Sequence, residues 1–171
     1  MIAFAMRLIV LTKEVLMQMK KRCCFAGHSQ LHNKSEIYVH LIKLIKKLIT
    51  EDNVSEFIVG NYGQFDALAS KAVQKLKENY PKVELTLVIP YLTRDIDNCK
   101  ERYYKNFDNI LIANLPEKTP QKLKILKCNE YMVDTTDFLI CYIEHNWGGA
   151  SKTMEYAKKN RHIKLFNIAH Y

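Results

Sequence analysis

The chain has 171 residues, of which 48% are hydrophobic and 26% charged, and carries a formal net charge of +8. That length suits one domain burying ~70% of its unfolded surface, which folds without disulfides or metals. The composition excludes intrinsic disorder, a collagen-like repeat and a cysteine-stapled secreted scaffold, and no run of ~18 apolar residues offers a membrane span.

Residues 1–18 (MIAFAMRLIVLTKEVLMQ) are apolar but interrupted by Arg7, Lys13 and Glu14. They lack the basic leader and small-x-small cleavage site of a secretory signal. Two readings fit: an amphipathic helix packed on the domain or lying on a membrane surface, or a mis-assigned start whose physiological initiator is Met19 or Met17. The expected organisation is an extension over 1–18 and a single domain over 19–171.

From Arg22 onward, strand and helix patterns alternate. Cys23-Cys24-Phe25-Ala26 is a short apolar run ended by Gly27, the signature of a buried strand. Ile37, Leu41, Leu44, Ile45 and Leu48 recur at helical spacing with lysines between them. Glu56–Val59 reads as the second strand, ended by Gly60, and Phe65, Leu68, Ala69, Ala72, Val73 and Leu76 as the next helical stripe. A third strand over Val83–Ile89 stops at Pro90, a weaker helix covers Ile96–Tyr104, and a fourth strand covers Asn109–Ala113. A helix follows Pro120, since proline suits a first helical turn. Phe138–Ile143 is the fifth strand, Lys152–Asn160 a helix and Ile163–Ile168 the last strand. This order predicts an α/β fold, a Rossmann-like doubly wound, mainly parallel sheet of about six strands flanked by helices.

In such sheets ligands bind beyond the carboxyl ends of the strands. The five glycines are few, about 3% of the chain against a usual ~7%. Gly27, Gly60, Gly63, Gly148 and Gly149 all fall just after expected strands one, two and five. Sharp turns explain glycine at such places, and so does close approach of a ligand. Three constellations result. In Gly27-His28-Ser29, the hydroxyl and imidazole suit a phosphate or ribose, although Ser29 also reads as a helix cap. In Gly60-Asn61-Tyr62-Gly63-Gln64-Phe65-Asp66, neither the dinucleotide nor the P-loop signature is met. Asp66 suits a ribose hydroxyl or simply a helix N-terminus. In Trp147-Gly148-Gly149-Ala150-Ser151-Lys152-Thr153-Met154-Glu155, glycine amides, a hydroxyl and a lysine gather at a helix start, an arrangement that suits phosphate. Glu155, read as one turn into that helix, is expected to face the same pocket.

The charge comes from 21 Lys and five Arg (Arg7, Arg22, Arg94, Arg102, Arg161). The lysines, such as Lys43, Lys46, Lys47, Lys71, Lys75 and Lys77, are scattered as on solvated helix faces, whereas a nucleic-acid footprint clusters its cations. Cys23, Cys24, Cys99, Cys128 and Cys141 form no CxxC pair and no zinc-like spacing. They read as reduced thiols of a cytoplasmic protein, with no metal and no cofactor expected.

Several of these segments resemble one superfamily. Arg22-Cys23-Cys24-Phe25-Ala26-Gly27-His28-Ser29 is similar to the opening "VFCGSS" of the LOG proteins, the lysine-decarboxylase-like phosphoribohydrolases of cytokinin-riboside monophosphates. Val88-Ile89-Pro90 resembles their "VIP". Thr136-Asp137-Phe138-Leu139-Ile140, with Trp147 to Glu155, resembles "SDAFIALPGGxGTxxE". Tyr131-Met132-Val133-Asp134, Asp137 and Glu155-Tyr156-Ala157 resemble the small bacterial SLOG proteins of the YpsA kind. The resemblance implies a nucleotide or nucleotide-derived ligand and a homodimer. It makes Glu155 the carboxylate that stabilises an oxocarbenium-like sugar during base release. Cys128 stands where the hydrolytic members carry Arg, and Trp147, Ser151 and Lys152 replace the motif's Pro, third Gly and Thr. Lys152 brings charge there without the planar fork of Arg. Trp147 suits stacking on a base, or a core or dimer contact.

Three functions are consistent with these readings. The first is a sensor that binds a nucleotide without turnover, favoured by the retained glycine loops and the missing Arg. The second is a nucleoside 5′-monophosphate N-glycosidase using Glu155. The third is a single-stranded-DNA-binding module of the DprA type, supported by the basic charge.

Overall fold

In a computed structural model, which describes residues 20–92, 98, 100–160 and 162–170, every expected apolar strand segment forms a strand of one sheet. The strands are β1 (Lys21–Gly27), β2 (Val54–Val59), β3 (Glu84–Ile89), β4 (Asn109–Ile112), β5 (Phe138–Tyr142) and β6 (Lys164–Asn167). All five pairings are parallel, in the order β4-β3-β2-β1-β5-β6. The helices are α1 (Lys34–Glu51), α2 (Gln64–Lys77), α3 (Lys100–Asn106), α4 (Lys124–Asp134) and α5 (Gly148–Lys159). The extension expected over 1–18 lies outside the described residues, as does the start of the helix expected at Ile96. No described helix is long and apolar enough to cross a membrane.

Period-two alternation sends each central strand's side chains to two cores. From β1, Cys23 and Phe25 join Phe57, Leu85 and Leu87 against Leu41, Ile45, Phe65 and Val73 of α1 and α2. Cys24 and Ala26 face the other way, with Ile58, Val88, Leu139 and Cys141 against Met132, Val133 and Ala157 of α4 and α5. The helical stripes legible in the sequence supply the buried faces of α1 and α2, except that Leu44 and Leu68 are only half-buried and Ser70 is buried beside them. The four described cysteines are buried free thiols within these cores.

Strand ends shift by one or two residues from the sequence reading, and two helix starts also differ, one of which matters. After Pro120 the chain makes a 3-10 turn, Gln121–Leu123, before α4 begins. The last helix starts at Gly148 rather than Lys152. Glycine is a poor helix former, so propensity alone argues for a later start. The Gly-Gly pair is nevertheless the first turn of α5.

At the opposite, amino-terminal edge, a polar row crosses the sheet. Arg22 lies in register with Glu56, and Glu56 with Glu84. Glu56 is buried, and its carboxylate accepts from Thr86 Oγ1 at 2.7 Å and pairs with Arg22 Nε at 2.9 Å. Lys20 meets Glu84 at 2.7 Å. Removing one partner of a buried ion leaves an uncompensated charge. Arg22→Ala is therefore expected to cost about 1–3 kcal/mol. Urea unfolding measures it, and an unchanged midpoint would show that Arg22 contributes nothing to holding Glu56.

Candidate functional site

The strand order reverses between β1 and β5, because the chain builds β1 to β4 on one side and returns to place β5 on the other. The two strands stay in register to their ends, Gly27 opposite Tyr142, and the loops beyond them part. Between the loops lies a cleft of about 530 Å³, the crevice that the topology of doubly wound sheets produces.

Its walls include Gly27, His28 and Ser29 after β1, Tyr62, Gly63 and Asp66 after β2, and Gly148, Gly149 and Ala150 at the start of α5. Nine of the expected site residues are thus brought together from three separate loops. Gly60, Asn61, Ser151, Lys152 and Glu155 are not among the described lining residues. Ser151 is buried and Lys152 exposed. Glu155 is exposed and pairs with Lys158 at 2.6 Å. The expectation that Glu155 faces the cleft is corrected by the early start of α5: seven residues after Gly148, it lies two turns along the helix, ~10 Å from its first residue. Cys128, at the position where the resemblance places Arg, is buried among apolar side chains. Burial, with Asp66 adding, pushes its thiol up to about 12.

The glycines divide by cause. A methyl at Gly27 would collide with the buried Phe65 ring. One at Gly63 would come within 2.9 Å of Ser29 Cα, where the two loops are tied by Gln64 N–H to the Ser29 carbonyl (3.0 Å). One at Gly60 would sit 3.0 Å from the Asp66 carboxylate. These three serve packing within the chain. Gly148 has φ +91°, which disfavours other residues. Gly149 has neither cause: its φ is not positive, and a methyl there would meet no described residue within 4 Å. Together with Ala150 they form the first turn of a helix that begins with no side-chain cap, so their amides point outward as donors with the positive end of the helix dipole behind them. Thr153 Oγ1 donates to the Gly149 carbonyl (2.9 Å) and accepts from Asn129 Nδ2 (3.3 Å), which ties the turn to α4.

Of the residues that join the two loops, the sequence reading named His28 and Trp147 and missed Glu144 and His145. His28, His145 and Trp147 stack as three successive rings, with centroids 3.8 Å apart at each step and interplanar angles of 21° and 10°. His28 is buried, and its Nε2 accepts the Glu144 N–H at 3.0 Å, which leaves the ring proton of the neutral form on Nδ1. Burial, followed by the neighbouring His145, holds His28 below its ordinary value, while Glu144 opposes them. His145 Nδ1 lies 3.1 Å from the Trp147 carbonyl. Trp147, the one tryptophan in the chain, is 68% exposed at the rim. The only sequence signal for this stack is a run of three ring-bearing or polar residues, Glu144-His145-Asn146, ahead of Trp147.

Asp66 is pushed up to about 6 by burial, although its carboxylate accepts the Tyr62 N–H at 3.1 Å. Apart from three histidines and Tyr62, Asp66 and Glu144 are the titratable groups of the described lining, which contains no Lys or Arg. No described cluster of His, Cys, Asp and Glu has the makings of a metal site.

The model of the YspA SLOG family (YpsA) matches residues 28–169. Among curated proteins, the chain is 27% identical over 134 residues to the SPbeta prophage-derived protein YoqJ of Bacillus subtilis, covering 70% of this chain and 78% of that one. It is 27% identical over 129 residues to the UPF0398 protein BH1768 of Halalkalibacterium halodurans, covering 70% and 67%. Among solved structures, DNA processing protein A (DprA) of Streptococcus pneumoniae superposes with a TM-score of 0.61 at 16% identity, over 86% of this chain and 50% of that one. DprA of Helicobacter pylori, described with its single-stranded DNA binding mode, gives 0.61 at 18%, over 89% and 66%. The chain therefore spans half to two thirds of these two DprA chains, and at such identities the likeness is one of fold.

Two predictions follow from this geometry. Gly27→Ala should cost about 1–3 kcal/mol through overpacking on Phe65, whereas Gly149→Ala should gain up to about 1 kcal/mol from helix propensity; thermal unfolding of both variants reads the contrast, and a loss at Gly149 would place a hidden contact there. For Asp66, the native state holds a proton that the unfolded chain releases at about pH 4, so stability falls as pH rises from about 4 through 6. The Tm of Asp66→Asn relative to the parent should rise across that window and then level off. A pH-independent difference would mean that the carboxyl is not raised.

Proposed function

The chain belongs to the YspA SLOG family, and from that membership we propose that it binds a nucleotide or nucleotide-derived small molecule in the cleft between β1 and β5, as a sensor rather than a hydrolase. Gly149 carries this reading. A glycine in a helical turn costs stability relative to alanine, and nothing among the described residues requires one there. A phosphate seated on the amides of Gly148, Gly149 and Ala150 would require it, because a Cβ at that point intrudes on the ligand. Trp147 offers its exposed side to a base, and Asp66 stands on the opposite wall as an acceptor for ribose hydroxyls.

Binding without turnover is favoured over N-glycoside hydrolysis by two placements. Cys128 is a buried thiol in place of a cation, and Glu155 is spent on an exposed ion pair with Lys158 outside the described lining. A second reading, single-stranded DNA binding, draws on the net charge of +8 and on the DprA fold neighbours. The absence of Lys and Arg from the described cleft lining counts against DNA lying in that crevice.

The test combines saturation-transfer and time-course proton NMR of the full chain with nucleoside 5′-monophosphates, ADP-ribose and NAD. Saturation transfer to at least one ligand, no free base over hours, and loss of transfer in Gly149→Val with the fold retained are the expected results. Base release that Glu155→Gln abolishes would make the protein an N-glycosidase. Unchanged affinity in Gly149→Val would remove the phosphate from this turn, and salt-sensitive retention on single-stranded DNA without nucleotide binding would favour the second reading.

A further inference from the structure

We infer that the His28–His145–Trp147 stack is a proton-controlled latch: it fixes the first turn of α5 to the end of β1 while His28 is neutral, and releases that turn when His28 takes up a proton. As a regulation of ligand affinity, this rests on the binding reading above; as a conformational device, it does not.

Beside the ring stack, a hydrogen bond to one acceptor atom joins the two loops. His28 Nε2 takes the Glu144 N–H at 3.0 Å, and Glu144 is the second residue of the loop that leads to Gly148. A neutral imidazole accepts at one nitrogen, but an imidazolium has two donors and accepts at neither. Protonation at His28 therefore turns a hydrogen bond into a donor facing a donor and leaves the Glu144 amide without its partner. It also places a cation 3.8 Å from the His145 ring, which is itself stacked on Trp147 and lies 3.1 Å from the Trp147 carbonyl. Trp147 is the residue immediately before α5. A disturbance at His28 is thereby passed along three rings to the glycine amides.

The charged and titratable groups around His28 come from each neighbouring element. Tyr142 of β5 meets it edge-on at 6.3 Å, and Glu144 and His145 face it from the following loop. His32 lies in its own loop, Tyr62 just before α2 and Asp66 in its first turn line the cleft, and Glu36 of α1 acts on Tyr142. Glu144 favours the proton, while burial and His145 oppose it more strongly. The direction of linkage follows: the closed latch is fully present above about pH 6.5 and is lost as pH falls through the lower native value of His28.

The experiment is a pH series of ¹⁵N–¹H and imidazole NMR spectra of the full chain without ligand, from pH 8 to 4.5. The amides of Glu144, Gly148 and Gly149 and the Trp147 indole N–H should shift together with the His28 ring, at a midpoint below 6.5. Hydrogen-exchange protection of the Glu144 amide should fall by roughly tenfold or more across that step. His28→Gln, whose side-chain oxygen accepts without titrating, should lack the common step. A Glu144 amide indifferent to His28 protonation, or the same step in His28→Gln, overturns the latch, and the wild-type titration decides the matter even if the variant fails to fold. Adenosine 5′-monophosphate then probes the coupling. Wild-type affinity should fall several-fold more than that of His28→Gln between pH 7.5 and 5.5, and equal falls would uncouple the latch from the site. If the latch titrates as described and neither the monophosphate nor any other nucleotide of that panel binds either form, the binding reading fails and the latch stands.

Discussion

The parallel pairing of β1 with β5, in register from Cys23 opposite Phe138 to Gly27 opposite Tyr142, is the constraint on which the rest depends. Because β2 to β4 lie on one side of β1 and β5 and β6 on the other, the two central strands must send their loops in opposite directions. A crevice opens there whatever residues fill it. What makes this crevice a candidate site is how its rim is held. Gly27 admits Phe65 beneath it, Gly63 lets two loop backbones touch, and the His28–Glu144 hydrogen bond joins the parting loops. The rim is fixed by packing on one wall and, on the other, by the titratable His28 contact together with the Thr153 tie to α4.

Much of this was legible in the sequence, for a physical reason. Strands buried on both faces must be short and apolar, and Cys23–Ala26, Phe57–Val59 and Phe138–Tyr142 are that and little else. The stripe from Ile37 to Leu48 and the stripe from Phe65 to Leu76 have one burial solution each. The start of α5 was not legible, because intrinsic propensity argues against Gly-Gly inside a helix. That misplacement carried Glu155 toward the cleft, when the helix in fact takes it two turns away. The ring stack was hidden for a different reason. His28 and His145 are 117 positions apart, and only the β1–β5 register brings them face to face.

The site also separates two properties that the sequence presents together. The chain is basic overall, yet the described cleft lining carries three histidines and two carboxyl groups and no Lys or Arg. An anion there would rely on backbone amides and the helix dipole, a recognition mode that depends on geometry more than on net charge. The lysines of α1 and α2 are spread along exposed helix faces, several in ion pairs such as Lys47–Glu51 and Lys75–Glu78.

The central claim is that the ligand's anionic group sits on the glycine turn of α5. Chemical-shift mapping of the ¹⁵N-labelled full chain with the same nucleotide panel tests it most directly. The account predicts saturable shifts that peak at the Gly148, Gly149 and Ala150 amides and the Trp147 indole, with smaller ones at Gly27 and His28. Shifts confined to the lysine-bearing faces of α1 and α2, or saturable binding that leaves Gly148 and Gly149 unmoved, would contradict it.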